Sequence, residues 1–300
     1  MCPNCRAFIS SDDRTCQYCG VTLRSQAAQQ VRAVSTSSGE GFIPDDAFAT
    51  FVLLLLNAGL WVISIVLSSQ AGNKNAIEDI DPGTLVLLGG KVAPLIRESG
   101  QWWRLVTAGF LHGGATHILM NGWALLMLGR MTDAIYGTSR LLVIFFLATV
   151  GGFWLSLVRS PEALSVGASA GIAGLVGAMI ALASLSKSRM AMDIRDRSLQ
   201  SVALTALLGL LGPTLFNMRV DNWAHLGGLA AGYFAAMLMG LPRPALPGRE
   251  RIWTLAAWVC VLLTVFSFIQ MGMFFVKHNS TPLIPARLAP QVQELPRQQL

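Results

Sequence analysis

The sequence contains few charged residues, and this scarcity excludes an ordinary soluble enzyme. Of its 300 residues 13% are charged and 53% are hydrophobic, whereas soluble domains carry about a quarter charged residues. No basic cluster is interleaved with aromatic residues, so nucleic acid is not a predicted partner. The first residues also lack a signal-peptide pattern, because Met1 is followed directly by a cysteine motif. What remains is a set of long apolar runs, which predict an all-α polytopic protein in a lipid bilayer.

The apolar runs predict seven membrane-spanning helices, at about 20 residues per crossing. They are Phe48–Ser68, Thr116–Met131, Leu141–Val158, Gly167–Leu185, Leu199–Phe216, Trp223–Leu241 and Ile252–Phe275. The long loop between the first two contains a shorter apolar run, Thr84–Ile96, which is interrupted by Gly89, Gly90 and Pro94. We expect that run to form an interfacial or re-entrant element, because it is too short to cross.

Two Cys-x-x-Cys pairs stand in residues 1–24, namely Cys2 with Cys5 and Cys16 with Cys19. Four thiolates complete a tetrahedral zinc site, and the sequence predicts a small zinc ribbon whose metal is structural, since no coordination position stays open. A redox dithiol or disulfides are the competing interpretations. The polar residues 25–46 predict a flexible linker, and the Pro- and Gln-containing residues 279–300 a disordered tail.

The distribution of Lys and Arg predicts which side of the membrane each loop faces. With the N-terminus in the cytoplasm, thirteen of these residues lie inside and nine outside, and the short loops between helices hold nine inside against Arg159 and Arg219 outside. Positive residues favour the cytoplasmic side. We therefore expect a cytoplasmic N-terminus, a C-terminus on the outer side and residence in the plasma (cell inner) membrane.

In that orientation, polar residues from three predicted spans reach a similar depth near the outer face. His112, His117 and Asn121 lie near the start of the second span, Ser169 near the start of the fourth and His225 near the start of the sixth. Ionisable groups in membrane helices are costly and indicate function. The fourth histidine, His278, follows the last span, where the sequence shows no partner for it.

These residue types suit acyl transfer. A histidine is the usual base for a serine nucleophile, so Ser169 and His225 would form a dyad; Asp221 lies at the helix start and is not an obvious orienting carboxylate. His117 and the backbone N–H of Ser169 would stabilise an oxyanion, together with Asn121 on the same helix face. Three histidines can also bind zinc, but no H-E-x-x-H motif or acidic residue accompanies them, which argues against a metallopeptidase.

Small residues predict how these helices meet. Gly228 and Gly232 of the sixth span form a close-approach face, which we expect to bring His225 against Gly171 and Gly174 of the fourth span.

The chain resembles the rhomboid intramembrane serine proteases. The matching motifs are Gly100-Gln101-Trp102-Trp103-Arg104, His112-x4-His117-x3-Asn121, Gly167-Ala168-Ser169 and Ala224-His225-x-x-Gly228-x-x-x-Gly232. The resemblance implies a six-helix core over residues 47–241, a seventh transmembrane helix in 242–278, and catalysis without a cofactor. It implies Ser169 as nucleophile and His225 as base. It also implies oxyanion or supporting roles for His117, Asn121, Gly167 and Ala168, and structural roles in the first loop for His112, Trp103 and Arg104.

Two positions depart from the family pattern. Ala170 stands where a glycine usually follows the serine, and its methyl group is expected to crowd the scissile bond or lower activity. Asp133 replaces the usual glutamate after the second span, and Gly137 is retained.

The predicted function is cleavage of single-span membrane proteins near the outer ends of helices that contain small or helix-breaking residues. The alternative is a non-catalytic rhomboid-fold binder or scaffold of transmembrane helices. In either case the zinc ribbon is a candidate site for a cytosolic partner.

Overall fold

The computed structural model describes residues 2, 4–8, 15–21, 47–186, 188–215, 220–241 and 247–278. The predicted linker and C-terminal tail lie outside these residues. The helices, numbered in chain order, are α1 (Phe48–Gln70), α2 (Pro82–Leu87), α3 (Ala93–Arg97), α4 (Arg104–Thr107), α5 (Ala115–Tyr136), α6 (Thr138–Arg159), α7 (Ser169–Ser186), α8 (Arg189–Leu215), α9 (Asn222–Met239) and α10 (Pro247–His278). In this part of the chain the structure is helical, and an isolated antiparallel bridge pairs Lys91 with Ser165.

Seven of these helices have 18 residues or more, and they coincide with the seven predicted spans. Four are long and apolar enough to cross a membrane by composition: α1, α6, α7 and the Glu250–His278 part of α10. Polar residues explain why α5 and α9 are less apolar, since these helices carry His117, Asn121 and His225. The α8 helix begins ten residues before the predicted span, so the charged segment that we expected to be a loop is helical.

Small residues let α6, α7 and α9 pack with their backbones in contact. A Cβ atom built at Gly232 would overlap the Gly174 backbone, and one built at Gly228 would overlap the Ala170 carbonyl. The close-approach face predicted on α9 is therefore confirmed, and Gly228 and Gly232 are the residues of that face that lie against α7. The prediction for Gly171 was wrong. Gly171 faces Phe145 and Thr149 of α6, because α7 packs against α6 on one side and against α9 on another.

The long first loop folds into α2, α3, α4 and a 3-10 turn at Ala108–Phe110. The predicted Thr84–Ile96 element divides at Gly89, whose φ of +94° suits glycine, and its apolar side chains are buried within the protein. Arg104 is fully buried; its Nη1 donates to the carbonyls of Val86 (2.7 Å) and Gly90 (3.0 Å). These bonds hold the two halves of the loop together.

The seventh long helix, α10, contacts the core at both of its ends. Near its start, Glu250 accepts a two-pronged hydrogen bond from Arg140, at the start of α6. Near its end, the Phe274 ring lies 4.8 Å from the Arg104 guanidinium. His278 has a partner that the sequence did not reveal, because its Nδ1 lies 2.8 Å from the Phe274 carbonyl and its ring stacks on Phe274.

Candidate active site

Ser169 is the first residue of α7, which the Gly167–Ala178 stretch predicts. In the segment before it, Ser165 pairs with Lys91 in an isolated bridge, and Gly167 has a φ of +131°, where a side chain would be strained. The first-turn N–H groups of a helix have no partner within the helix. Ser169 therefore carries its hydroxyl beside backbone donors, as acyl transfer requires.

His117 lies across Gly167 from the serine. A Cβ atom built at Gly167 would lie 2.7 Å from His117 Nε2 and 3.5 Å from Ser169 Oγ, so the missing side chain leaves a space that both groups border. The Gly113 N–H donates to His117 Nδ1 (3.4 Å). A neutral imidazole that accepts at Nδ1 carries its proton on Nε2, so the arrangement directs an N–H donor toward the serine.

Asn121 and His112 support His117 on its other sides. Asn121 Nδ2 donates to the His117 carbonyl (2.9 Å), which commits one of its two N–H groups to the helix. The His112 ring packs edge-on against His117 with 5.0 Å between centroids. Burial, and then the proximity of His117, hold the pKa of His112 well below its usual value, so it is neutral.

His225 lies in the first turns of α9, beside the start of α7. The neighbouring Ala224 is buried in the same apolar cluster as Ala170, and Gly228 one turn later touches the Ala170 backbone. Ser169 and His225 are not hydrogen-bonded to each other among the described residues. Catalytic hydrogen bonds often form only when substrate is bound.

Asp221 does not orient His225 through its carboxylate. Its side chain accepts from the Ala224 N–H (2.9 Å), as an N-cap, and from the Ser156 hydroxyl of α6. His225 Nδ1 is buried and lacks a hydrogen-bond partner in the described part of the chain. The geometry is that of a serine and a histidine without a carboxylate.

The expectation that the Ala170 methyl group crowds a scissile bond does not fit its position in the structure. Ala170 is fully buried, and a Cβ atom built at Gly152 of α6 would lie 2.8 Å from its Cβ. The methyl group therefore points into the interface with α6, and Gly152 leaves the room that it occupies.

Sequence reasoning missed Lys91, which connects the first loop to the segment that leads to Ser169. Lys91 Nζ donates to the carbonyls of Ser160 (2.7 Å) and Ala163 (2.9 Å), and its backbone pairs with Ser165. The Gly167 N–H also donates to Ala108 in this loop (2.9 Å). The sequence did contain a signal for this role, because Lys91 is the single charged residue in the apolar run Thr84–Ile96. A buried cation needs hydrogen-bond acceptors from elsewhere in the chain.

The four N-terminal cysteines form a second cluster, away from Ser169. Their Sγ atoms all lie within 4.8 Å of one another, and all four thiols are free.

Comparison with known proteins identifies a matching family and several relatives. Residues 99–242 match the family described as Rhomboid domain. The chain is 35% identical over 201 residues to the rhomboid protease GluP of Bacillus subtilis (strain 168), which covers 67% of the chain and 38% of that protein. It is 34% identical over 191 residues to rhomboid-like protease 3 of Toxoplasma gondii, covering 61% and 68%. RHOMBOID-like protein 4 of Arabidopsis thaliana is 28% identical over 209 residues, covering 65% and 52%. The chain thus spans well under half of the Bacillus protein that it matches.

Proposed function

Because the chain belongs to the rhomboid family, we propose that it is an intramembrane serine endopeptidase that uses Ser169 and His225. The observation that carries this proposal is the space at Gly167, bordered by Ser169 Oγ and by the Nε2 atom of His117. A substrate carbonyl in that space would meet a nucleophile on one side and a donor on the other. The proximity of α9 to Ala170 supports His225 as the base.

The proposed reaction proceeds through an acyl-enzyme. Ser169 Oγ attacks the scissile carbonyl carbon while His225 accepts the hydroxyl proton. The negative oxygen that forms accepts hydrogen bonds from the Ser169 N–H and from His117 Nε2–H, with the second Asn121 N–H as a further donor. His225 then gives its proton to the departing amine as the C–N bond breaks. Water, deprotonated by His225, hydrolyses the ester and restores Ser169.

The proposed substrates are single-span membrane proteins, cleaved near the outer membrane face. The site lies at the same end of the helices as the first loop, and the starts of α7 and α9 are both at this end. A transmembrane helix must open locally before its peptide bond reaches a serine, because backbone groups in lipid are otherwise hydrogen-bonded within the helix. Substrates with small or helix-breaking residues open most easily.

Cleavage of a single-span reporter in liposomes that contain the purified protein tests this proposal. We expect Ser169→Ala and His225→Ala to lower cleavage by at least about a hundredfold, as loss of a positioned base or nucleophile does. Ser201→Ala is the matched serine control, because this exposed hydroxyl donates to the backbone carbonyl of Arg197, one turn earlier in the same helix. A fluorophosphonate probe should label the protein at Ser169 alone. Cleavage that survives Ser169→Ala would refute the assignment.

The reporter assay also distinguishes the alternative, a non-catalytic binder. The Ala170 methyl group packs against Gly152, so it does not block the site. Ala170→Gly is therefore expected not to raise cleavage: the rate should stay within about threefold of that of the natural protein, or fall because packing is lost. If the natural protein were inactive on several reporters and Ala170→Gly were active, the methyl group would be the block, and the binder would be favoured.

A further inference from the structure

The geometry of the four cysteines matches a tetrahedral metal site better than any pairing of the thiols. The Sγ atoms of Cys2 and Cys19 lie 3.6 Å apart, and those of Cys5 and Cys16 lie 3.5 Å apart. With Zn–S bonds of about 2.3 Å, the thiolates of a tetrahedral site lie about 3.8 Å apart. A disulfide would bring two sulfurs to about 2.05 Å. Two of the six sulfur–sulfur distances are thus close to those of a zinc tetrathiolate, and the other four do not exceed 4.8 Å.

The two cysteine pairs follow the same backbone path, although their sequences differ. In the first, the Arg6 N–H donates to the Cys2 carbonyl (2.8 Å) and the Cys2 N–H to Ala7; in the second, Gly20 and Val21 make the equivalent bonds with Cys16. The fifth residue of each turn has a positive φ, +54° at Arg6 and +71° at Gly20. This repeat directs all four thiols to one point.

Arg6 occupies a backbone position that favours glycine, and its side chain gives a reason. Arg6 Nη1 donates to the Asp133 carbonyl (3.4 Å) in the last turn of α5, and it also lies beside Gly137. Carbonyls at a helix C-terminus carry partial negative charge and attract a cation. Phe8 packs on the buried core of the membrane domain. The described N-terminal residues (2, 4–8 and 15–21), which we call the cysteine module, are therefore in contact with the α5–α6 turn.

We propose that the four thiolates bind one zinc ion, and that the metal-ordered module docks on the α5–α6 turn through Arg6 and Phe8. Zinc is the soft, tetrahedral divalent ion that four thiolates prefer. A segment of this size has too small a core to fold alone, so the metal orders Arg6 and Phe8 for contact. Loss of the metal would therefore release the module from the α5–α6 turn. Four protein ligands leave no open position, so this site does not take part in the cleavage reaction.

The metal site is tested on the full-length protein purified in detergent. Mass spectrometry of its metal content should find about one zinc per chain, and cobalt in its place should give the absorption of a tetrahedral tetrathiolate. Cys16→Ser should remove the bound metal, whereas Cys260→Ser is the matched control, because this buried cysteine lies on α10 and does not belong to the cluster. Purified protein without stoichiometric zinc, unable to take up zinc or cobalt under reducing conditions, would overturn the proposal.

Docking is tested by hydrogen exchange at the backbone amides of residues 133–140. Removal of zinc with a chelator should accelerate exchange there several-fold. Arg6→Gly separates the two roles of Arg6, because glycine suits the positive φ and keeps the metal site, yet removes the guanidinium; it should retain zinc and still accelerate exchange. Tyr18→Ala, an exposed position on the second cysteine pair, should change neither. Exchange that is unaffected by both the chelator and Arg6→Gly would refute docking, and neither measurement depends on proteolysis.

Discussion

At the scale of single residues, the site depends on groups whose neighbours assign them one task. His117 accepts from the Gly113 N–H at Nδ1, which leaves Nε2 as a donor, whereas His225 Nδ1 lacks a partner in the described chain. Two histidines in one site thus differ in what they can do: His117 is fixed as a donor, and His225 remains free to exchange a proton. Identical residue types acquire different chemistry through their hydrogen bonds.

Lys91 shows how a buried cation makes stability depend on pH. Burial lowers the pKa of Lys91 from its usual 10.5 to about 8, although Asp221 and Glu162 act in the opposite direction and Arg97 adds to the decrease. Between these values the unfolded chain binds more protons than the folded one. Unfolding therefore becomes harder as the pH rises from about 8 to 10.5.

We predict that this pH effect disappears in Lys91→Gln, which cannot titrate. The difference in melting temperature between the natural protein and the variant, measured in one detergent, should increase in favour of the natural protein from pH 7.5 to pH 10. The change is on the order of 3 kcal/mol at most, at about 1.4 kcal/mol per pKa unit. A difference that stays constant over this range would show that Lys91 is charged in the folded state throughout.

At the scale of helices, α10 packs against the first loop. The Arg104 guanidinium lies 4.7 Å from the Trp103 ring and 4.8 Å from the Phe274 ring, so it is enclosed between the two aromatic groups. Phe268, earlier on α10, contacts Phe110 of the same loop with 5.2 Å between ring centroids. The seventh helix is therefore part of the support for the loop that holds the segment before Ser169.

We predict that Phe274→Ala loosens the first loop. Loss of a cation–π contact and of aromatic packing should destabilise the protein by about 1–3 kcal/mol, accelerate hydrogen exchange over residues 86–107, and lower reporter cleavage. Phe266→Ala is the matched control, because this ring on the same helix is exposed. Equal effects of the two substitutions would mean that α10 contributes apolar area alone.

At the scale of the whole molecule, the two ends of the bundle carry different groups of residues. One end holds the first loop, the start of α7 with Ser169, the start of α9 and the end of α10; the other holds the α5–α6 turn, the start of α10 and the cysteine module. The contacts of Arg140 with Glu250 and of Arg104 with Phe274 fix this arrangement at opposite ends of α10. The site and the cysteine cluster are thus separated by the length of a helix.

We predict that the end with Ser169 faces outward. The bias of Lys and Arg toward the other end favours that end in the cytoplasm. Alkaline phosphatase fused after residue 300, which is active only outside the cytoplasm, should be active in cells, and green fluorescent protein at the same point should not fluoresce. The opposite pattern would reverse the predicted orientation and place the cysteines in an oxidising compartment.

The sequence by itself determined the helical membrane fold and the seven long helices, and it predicted His117 as a neighbour of Ser169. It did so because apolar length and small-residue spacing are local properties that the bilayer constrains strongly. It also predicted the cysteine cluster from spacing alone.

Only the tertiary structure decided which neighbour each side chain meets. It turned the Ala170 methyl group toward Gly152, placed Gly171 against α6 and connected Lys91 to the segment before Ser169. It also brought Arg6 to a carbonyl 127 residues away in sequence. These contacts depend on how the helices are rotated and on the path of a long loop, and both are set by packing between segments that are distant in sequence.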